Sequence, residues 1–217
     1  MAKLYFFYGA MNSGKTTRII QCAYNYSEQG KRPIIMKPKI DTKGEEYIIS
    51  RIGAKRKVDF LIEKNQSIYD LVVEKYTNVD LLIIDEAQFL NEMQVDELMD
   101  IVIDLNIPVM CFGLRTDFQG VAFPGARRLL EIAHELTEMK TICACGKKAM
   151  FNVRLMDGRV TTTGDSVAID GEGKITYTVA CARCYRLKTR QNFRDISKRL
   201  NSKNETKIEE NNKKKNK

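Results

Sequence analysis

The chain has 217 residues, 43% of them hydrophobic, enough to bury one substantial core with room for a small appended module. No apolar run approaches the ~18 residues of a membrane span, and the first apolar residues belong to a strand rather than a signal peptide, which predicts a cytoplasmic protein with no membrane partner. The formal charge of +8 suggests nucleic acid at first sight, but residues 198–217 alone carry eight Lys/Arg and three Glu, so most of the excess sits in the last twenty residues.

In chain order, the apolar and aromatic run Lys3–Tyr8 predicts a strand, and Lys15–Gln29 a helix with Ile19, Ile20, Ala23 and Tyr24 on one side and Gly30 as its stop. The eight residues that join them, Gly9-Ala10-Met11-Asn12-Ser13-Gly14-Lys15-Thr16, satisfy the pattern G-x-x-x-x-G-K-[ST]. In a strand-to-helix loop, Gly9 and Gly14 permit backbone angles that a side chain forbids, so successive N–H groups can turn inward onto phosphate oxygens. Lys15 then reaches the β- and γ-phosphates, and the Thr16 hydroxyl is a Mg²⁺ ligand.

Further strands are predicted at Arg32–Lys37, Val79–Asp85 and Ile107–Gly113, with helices over Ser67–Tyr76 and from about Asn91, where Val95, Leu98, Met99 and Val102 fall on one face. Such alternation predicts a parallel sheet covered on both faces. The third strand runs through four apolar residues into Asp85 and Glu86, an arrangement that sets one carboxylate beside Mg²⁺ and a second where it can act as a base on the nucleophile. The sequence Asp85-Glu86-Ala87-Gln88 also suits a nucleic-acid-stimulated ATPase. Against that rival, the chain carries a single phosphate loop and no room for the second nucleotide-fold domain such motors use.

Six cysteines in a protein expected in the cytoplasm argue against structural disulfides. Cys143-Ala144-Cys145 and, after 35 further residues, Cys181-Ala182-Arg183-Cys184 read as a closed four-thiolate zinc site, with a redox pair or unrelated buried thiols as the alternative. Cys22 and Cys111 read as small buried hydrophobes, and His134, the only histidine, as a structural residue on a helix. The last segment contains only two large apolar residues, Leu200 and Ile208, too few to offset its ordering entropy. Residues 188–217 are therefore expected to form a mostly disordered basic tail, with a nucleic-acid arm as the alternative.

Taken together and in this order, GAMNSGKT, KPKIDTK (37–43), IDEAQF (84–89), GLRTDFQGVAF (113–123) and the two cysteine pairs resemble the cytosolic-type thymidine kinases. The resemblance spans Lys3 to about Arg186. It implies an α/β fold with a P-loop NTPase-like parallel sheet flanked by helices (residues 1–141), and a small zinc-pinned lasso domain (142–187) whose loop runs from Gly146 to Ala180. It further implies transfer of the γ-phosphate of ATP to the 5′-hydroxyl of thymidine, with deoxyuridine a second acceptor and Glu86 as the base. Cofactors would be Mg²⁺ at the reaction and Zn²⁺ on Cys143, Cys145, Cys181 and Cys184. Similarity to the family puts Met11, Phe89, Leu114, Phe118, Phe123 and Tyr177 around the nucleoside, with base edges met by the stretch containing Val167, Ile169, Asp170 and Gly171. Where the family commonly shows Asp-x-Arg, this chain has Asp41-Thr42-Lys43, so Asp41, Lys43 and Arg51 are the candidates for phosphate or Mg²⁺ contact. Family resemblance also implies a homotetramer, inhibition by thymidine triphosphate and no nucleic-acid partner.

Overall fold

The computed structural model describes residues 1–41, 46–165 and 175–198. They divide into two compact units, one formed by Met1–Asp117 with Val121–Thr141, the other by Phe118–Gly120 with the chain from Ile142 onward.

The first unit begins with β1 (Leu4–Gly9), α1 (Lys15–Glu28) and β2 (Pro33–Pro38), followed by a hairpin of β3 (Tyr47–Ile49) and β4 (Lys55–Lys57). It continues through β5 (Phe60–Ile62), α2 (Ile68–Lys75), β6 (Leu81–Ile84), a single 3₁₀ turn at Ala87–Phe89, α3 (Glu92–Asp104), β7 (Val109–Leu114), α4 (Pro124–Ile132) and β8 (Glu135–Glu138). The main sheet has the order β5-β2-β6-β7-β1-β8, with every pair parallel. Local chemistry sets the helix starts: the Ser67 hydroxyl accepts from the Asp70 N–H at 3.1 Å, and Asn91 and Gln94 form a reciprocal capping box at the start of α3.

Parallel strands covered on both faces read as unbroken apolar runs, and β2 and β6 are buried along their whole lengths. Ile19 and Ala23 of α1 pack with Ile35, Leu81, Ile83 and Phe112, each large buried side chain of this kind contributing about 1.5–3 kcal/mol. Alternation sends Leu82 and Ile84 to the opposite face. Because all six strands point the same way, the segments after β1, β2, β6 and β7 gather at one edge of the sheet, where open α/β sheets bind ligands. The strand of the acidic pair, β6, is separated from the phosphate-loop strand by β7.

Two elements of this unit differ from expectation. His134 lies beyond the end of α4, in the bend before β8, where its Nδ1 accepts the Leu4 N–H at 3.1 Å and its own N–H donates to the Leu4 carbonyl. The helix expected there stops at Ile132 because the chain must turn to pair β8 with β1. β8 itself, Glu-Leu-Thr-Glu, carries charged residues on an edge, a composition that protects an edge from stray pairing and hides the strand from a hydrophobicity pattern.

In the second unit, β9 (Thr141–Ile142) and β10 (Lys148–Ala149) form a ribbon, and β11 (Phe151–Met156) is the centre of an antiparallel sheet between β12 (Arg159–Thr161) and β13 (Ile175–Ala180). After α5 (Ala182–Thr189), residues 193–198 are again helical and bring Ile196 into a small core with Val153, Ala180 and Tyr185. The rings of Phe151, Tyr185 and Phe193 pack in series, and the Tyr185 hydroxyl donates to the Phe118 carbonyl at 2.8 Å, which fastens residues 118–120 to this unit.

Candidate active site

The phosphate loop is shaped by two left-handed residues, Asn12 (φ 63°) and Gly14 (φ 79°), the latter capping α1. Such a turn directs consecutive N–H groups into one concavity at a helix N-terminus, an anion site by geometry. Gly14 needs its freedom of backbone angle. Gly9 is glycine for a different reason than the sequence suggested: its φ is ordinary, but a Cβ there would lie 2.5 Å from the Met139 carbonyl and 2.7 Å from Ser13 Oγ. Lys15 is buried, and its ammonium donates to the Ala10 carbonyl at 2.9 Å and to Ser13 Oγ at 3.2 Å, which keeps it over the loop. Thr16, half-buried, follows in the first turn of α1. Met11 is half-buried at the loop's crest.

At the end of β6, Asp85 is buried and accepts the Glu86 N–H at 2.9 Å. Burial, then the Glu86 and Asp41 charges, push its carboxyl up to about 8, opposed by that N–H bond and by Lys15. Asp85 thus feels the charges of Glu86, Asp41 and Lys15. Asp41 is paired at 3.1 Å with Lys37, a fully buried cation at the end of β2 that the sequence analysis did not single out. A group of carboxylates with one of them driven toward its neutral form is a site that a divalent cation would suit: Mg²⁺ would restore the Asp85 anion, with the Thr16 hydroxyl as a further ligand.

Glu86 takes the left-handed conformation (φ 49°, ψ 38°), unusual for a residue with a side chain. Its carboxylate receives a 2.6 Å hydrogen bond from Gln88 Nε2, while Gln88 Oε1 accepts the Leu114 N–H at 3.0 Å from the end of β7. Gln88 is fully buried. The sequence offered one clue to it, a polar residue inside an otherwise apolar stretch after the acidic pair.

Of the expected nucleoside contacts, Phe89 and Phe123 meet edge to face at 5.5 Å in the first unit, where Leu114 is buried at the end of β7. Phe118 and Tyr177 belong to the second unit and share a partner that sequence reasoning missed: the buried Arg154 guanidinium lies 3.7 Å over the Phe118 ring and 5.5 Å from the Tyr177 ring, and its Nε donates to the Tyr177 hydroxyl at 3.0 Å. Register explains the pairing, since Arg154 of β11 lies opposite Tyr177 of β13. Arg51 is exposed in the turn between β3 and β4. Lys43, Val167, Ile169, Asp170 and Gly171 lie outside the described residues.

The Sγ atoms of Cys143, Cys145, Cys181 and Cys184 all lie within 4.8 Å of one another, with Cys145 and Cys181 at 3.6 Å. A disulfide would require about 2.05 Å; a tetrahedral Zn²⁺ with bonds of about 2.3 Å places its sulfurs about 3.8 Å apart, which this cluster matches. The short Cys-x-Cys pair supplies both of its thiols. The Cys145 and Cys181 backbone N–H groups draw the Cys143 thiol down to about 6, and the Cys184 N–H draws Cys181 down. Cys184, hydrogen-bonded first to Cys145 and then to the other two, is pushed up to about 12. Two thiols inclined to ionise beside one that holds its proton are a donor set completed by a dication. Cys22 is half-buried on α1 and Cys111 fully buried in β7, where burial raises the thiol, as expected of packing residues.

Residues 2–185 match the family described as thymidine kinase. Among similar proteins, the thymidine kinase of Mesorhizobium japonicum is 46% identical over 84% of this chain and 90% of its own length, and that of Yersinia pseudotuberculosis is 41% identical over 86% and 95%. Among solved structures, an ATPase domain resembles this chain with a TM-score of 0.44 and 11% identity, covering 84% of this chain and 83% of that one.

Proposed function

The chain belongs to the thymidine kinase family, and from that premise and the geometry around the phosphate loop we infer that it transfers the γ-phosphate of ATP to the 5′-hydroxyl of thymidine, giving thymidine monophosphate and ADP. One observation carries the mechanistic reading. Glu86 stands beside Asp85 in the acidic neighbourhood of Lys15, with its carboxylate held by Gln88.

In this reading the loop N–H groups of residues 9–16 and the Lys15 ammonium hold the triphosphate. The Thr16 hydroxyl and Asp85 would hold a Mg²⁺, which would supply charge neutralisation for the triphosphate. Glu86 takes the proton of the 5′-hydroxyl as that oxygen bonds to the γ-phosphorus, and the bond from the γ-phosphorus to the bridging oxygen breaks, leaving the electron pair on ADP. Lys37 fixes Asp41, which with Lys43 and Arg51 remains a candidate for phosphate or metal contact. Met11, Phe89, Leu114, Phe118, Phe123 and Tyr177, with the stretch containing Val167, Ile169, Asp170 and Gly171, are the acceptor's candidate contacts. Aromatic and aliphatic surface of this kind suits a flat base. The four cysteines would hold a structural Zn²⁺, because a closed thiolate shell would leave no position for water. Residues 1–141, 142–187 and 188–217 serve as kinase domain, zinc-pinned domain and tail. Family kinship extends the reading to deoxyuridine as a second acceptor, a homotetramer, inhibition by thymidine triphosphate, action in the cytoplasm and independence of nucleic acid. Among the described residues, no helix is long and apolar enough to cross a membrane.

The test is a comparison of acceptors. Purified protein with Mg²⁺ and ATP should form monophosphate from thymidine and deoxyuridine and little from the purine deoxynucleosides. ATP turnover that needs DNA or RNA and leaves thymidine unchanged would refute the reading.

A further inference from the structure

We propose that Gln88 is the positioning residue of phosphoryl transfer, fixing the direction from which the Glu86 carboxylate meets the acceptor's proton. The proposal rests on the assignment of Glu86 as the base.

Gln88 is fully buried, and a buried amide is tolerated where its hydrogen-bonding groups are satisfied. The Leu114 N–H can only donate, so the amide oxygen must face it, which leaves the NH₂ group turned toward Glu86. The orientation of the amide is thus dictated by the end of β7. A 2.6 Å bond to a carboxylate is short and charge-assisted. It holds Oε2 of Glu86 and leaves Oε1 to receive the proton.

The surroundings are built to keep this turn in place. A Cβ at Gly113 would lie 2.7 Å from Gln88 Oε1 and 3.1 Å from its backbone nitrogen. A Cβ at Gly125, in the first turn of α4, would lie 2.6 Å from the carbonyl oxygens of both Ala87 and Leu90 and 3.1 Å from that of Gln88. Two elements therefore approach the Glu86–Leu90 turn as closely as backbone allows. Within it, Glu86 is held left-handed and its side chain is only half-buried. Without Gln88 the glutamate would sample several rotamers, and a small misplacement of a catalytic group is costly in rate.

The test is a double-mutant cycle on kcat. Gln88→Met keeps the volume and removes both hydrogen bonds; Gln88→Glu keeps an acceptor for the Leu114 N–H and replaces the donor. Each should lower kcat about 10- to 100-fold while KM for ATP and for thymidine stays within about threefold. In a Glu86→Gln background, Gln88→Met should cost less than about threefold more, because its effect acts through the glutamate. Gln94→Met is the control: Gln94 is also buried, donating to the Glu63 and Gln66 carbonyls, and its loss should lower thermal stability without lowering kcat. Where Gln88→Met does not fold, as judged by nucleotide binding, Gln88→Glu carries the cycle. Unchanged kcat in the Gln88 variants, or a full additional loss in the Glu86→Gln background, would overturn the positioning role alone. Normal turnover in Glu86→Gln itself would overturn the base assignment and this proposal with it.

Discussion

Replacing Cys181 with serine takes one thiol from the four-cysteine cluster, which sits in a small core of the second unit. Among the described residues, the cluster around the thiols comprises Cys143, Ala149, Val153, Ala180, Cys181, Tyr185 and Ile196, with Phe151, Val160 and Val179 partly buried against it, and Phe118 is buried in the same unit. Val153, Tyr185 and Ile196 supply about 5–9 kcal/mol gross at about 1.5–3 kcal/mol each. A structural Zn²⁺ contributes on the order of 10–16 kcal/mol. A bound zinc would thus contribute at least as much as those three side chains together, whereas the first unit keeps its own core around Ile35, Leu81, Ile83 and Phe112. Elemental analysis should find one zinc per chain, lost in Cys181→Ser. Hydrogen exchange after chelation should show rapid exchange across β11–β13 and α5 with β1, β6 and β7 still protected, and ATP binding retained while thymidine binding is lost. A full zinc content in Cys143→Ser would show that the Cys-x-Cys pair does not supply both ligands. No zinc in protein purified without chelator, or unchanged protection of β11–β13 once zinc is removed, would refute the reasoning.

Glu86→Gln should lower kcat by about 10² to 10⁴-fold with nucleotide affinity intact, checked by steady-state kinetics and calorimetry; near-normal turnover removes Glu86 from the chemistry. Asp85 makes a prediction in pH. Its carboxyl is raised from 3.8 to about 8, so the folded state keeps a proton that the unfolded state has lost, and this group destabilises the protein increasingly as pH rises through that window. In metal-free buffer, the stability of Asp85→Asn relative to the unsubstituted protein should therefore improve from about pH 4 to pH 8, by at most about 1.4 kcal/mol per unit, and level off above; parallel denaturant melts at all pH values would contradict this. Phe118→Ala removes the ring stacked on Arg154 and should weaken thymidine binding about 10- to 100-fold more than ATP binding; equal losses for both ligands would point to a folding defect instead.

Local chemistry made the catalytic half of this protein readable. The phosphate loop and the acidic strand end are short contiguous patterns, and β2, β6 and β7 are apolar runs bounded by turn residues, so their existence and order follow from pattern alone. What escaped depends on residues distant in sequence. Gly9 looks like a hinge in the sequence, but its need is space beside Met139, which only the pairing of β1 with β8 reveals. Gln88 acquires its role from the Leu114 N–H, 26 residues away. Arg154 becomes the partner of Phe118 and Tyr177 only through the register of β11 with β13. The short strands of the second unit carry too little periodicity to be seen, and its cysteine pairs were legible because thiol spacing reports metal chemistry rather than packing.

The most direct measurement follows the transferred phosphate itself. With γ-labelled ATP, Mg²⁺ and thymidine, ³¹P spectroscopy and product separation should show the label in thymidine 5′-monophosphate, one for each ADP formed, with no change when DNA or RNA is added. Label recovered as orthophosphate, with thymidine unmodified, would contradict the account.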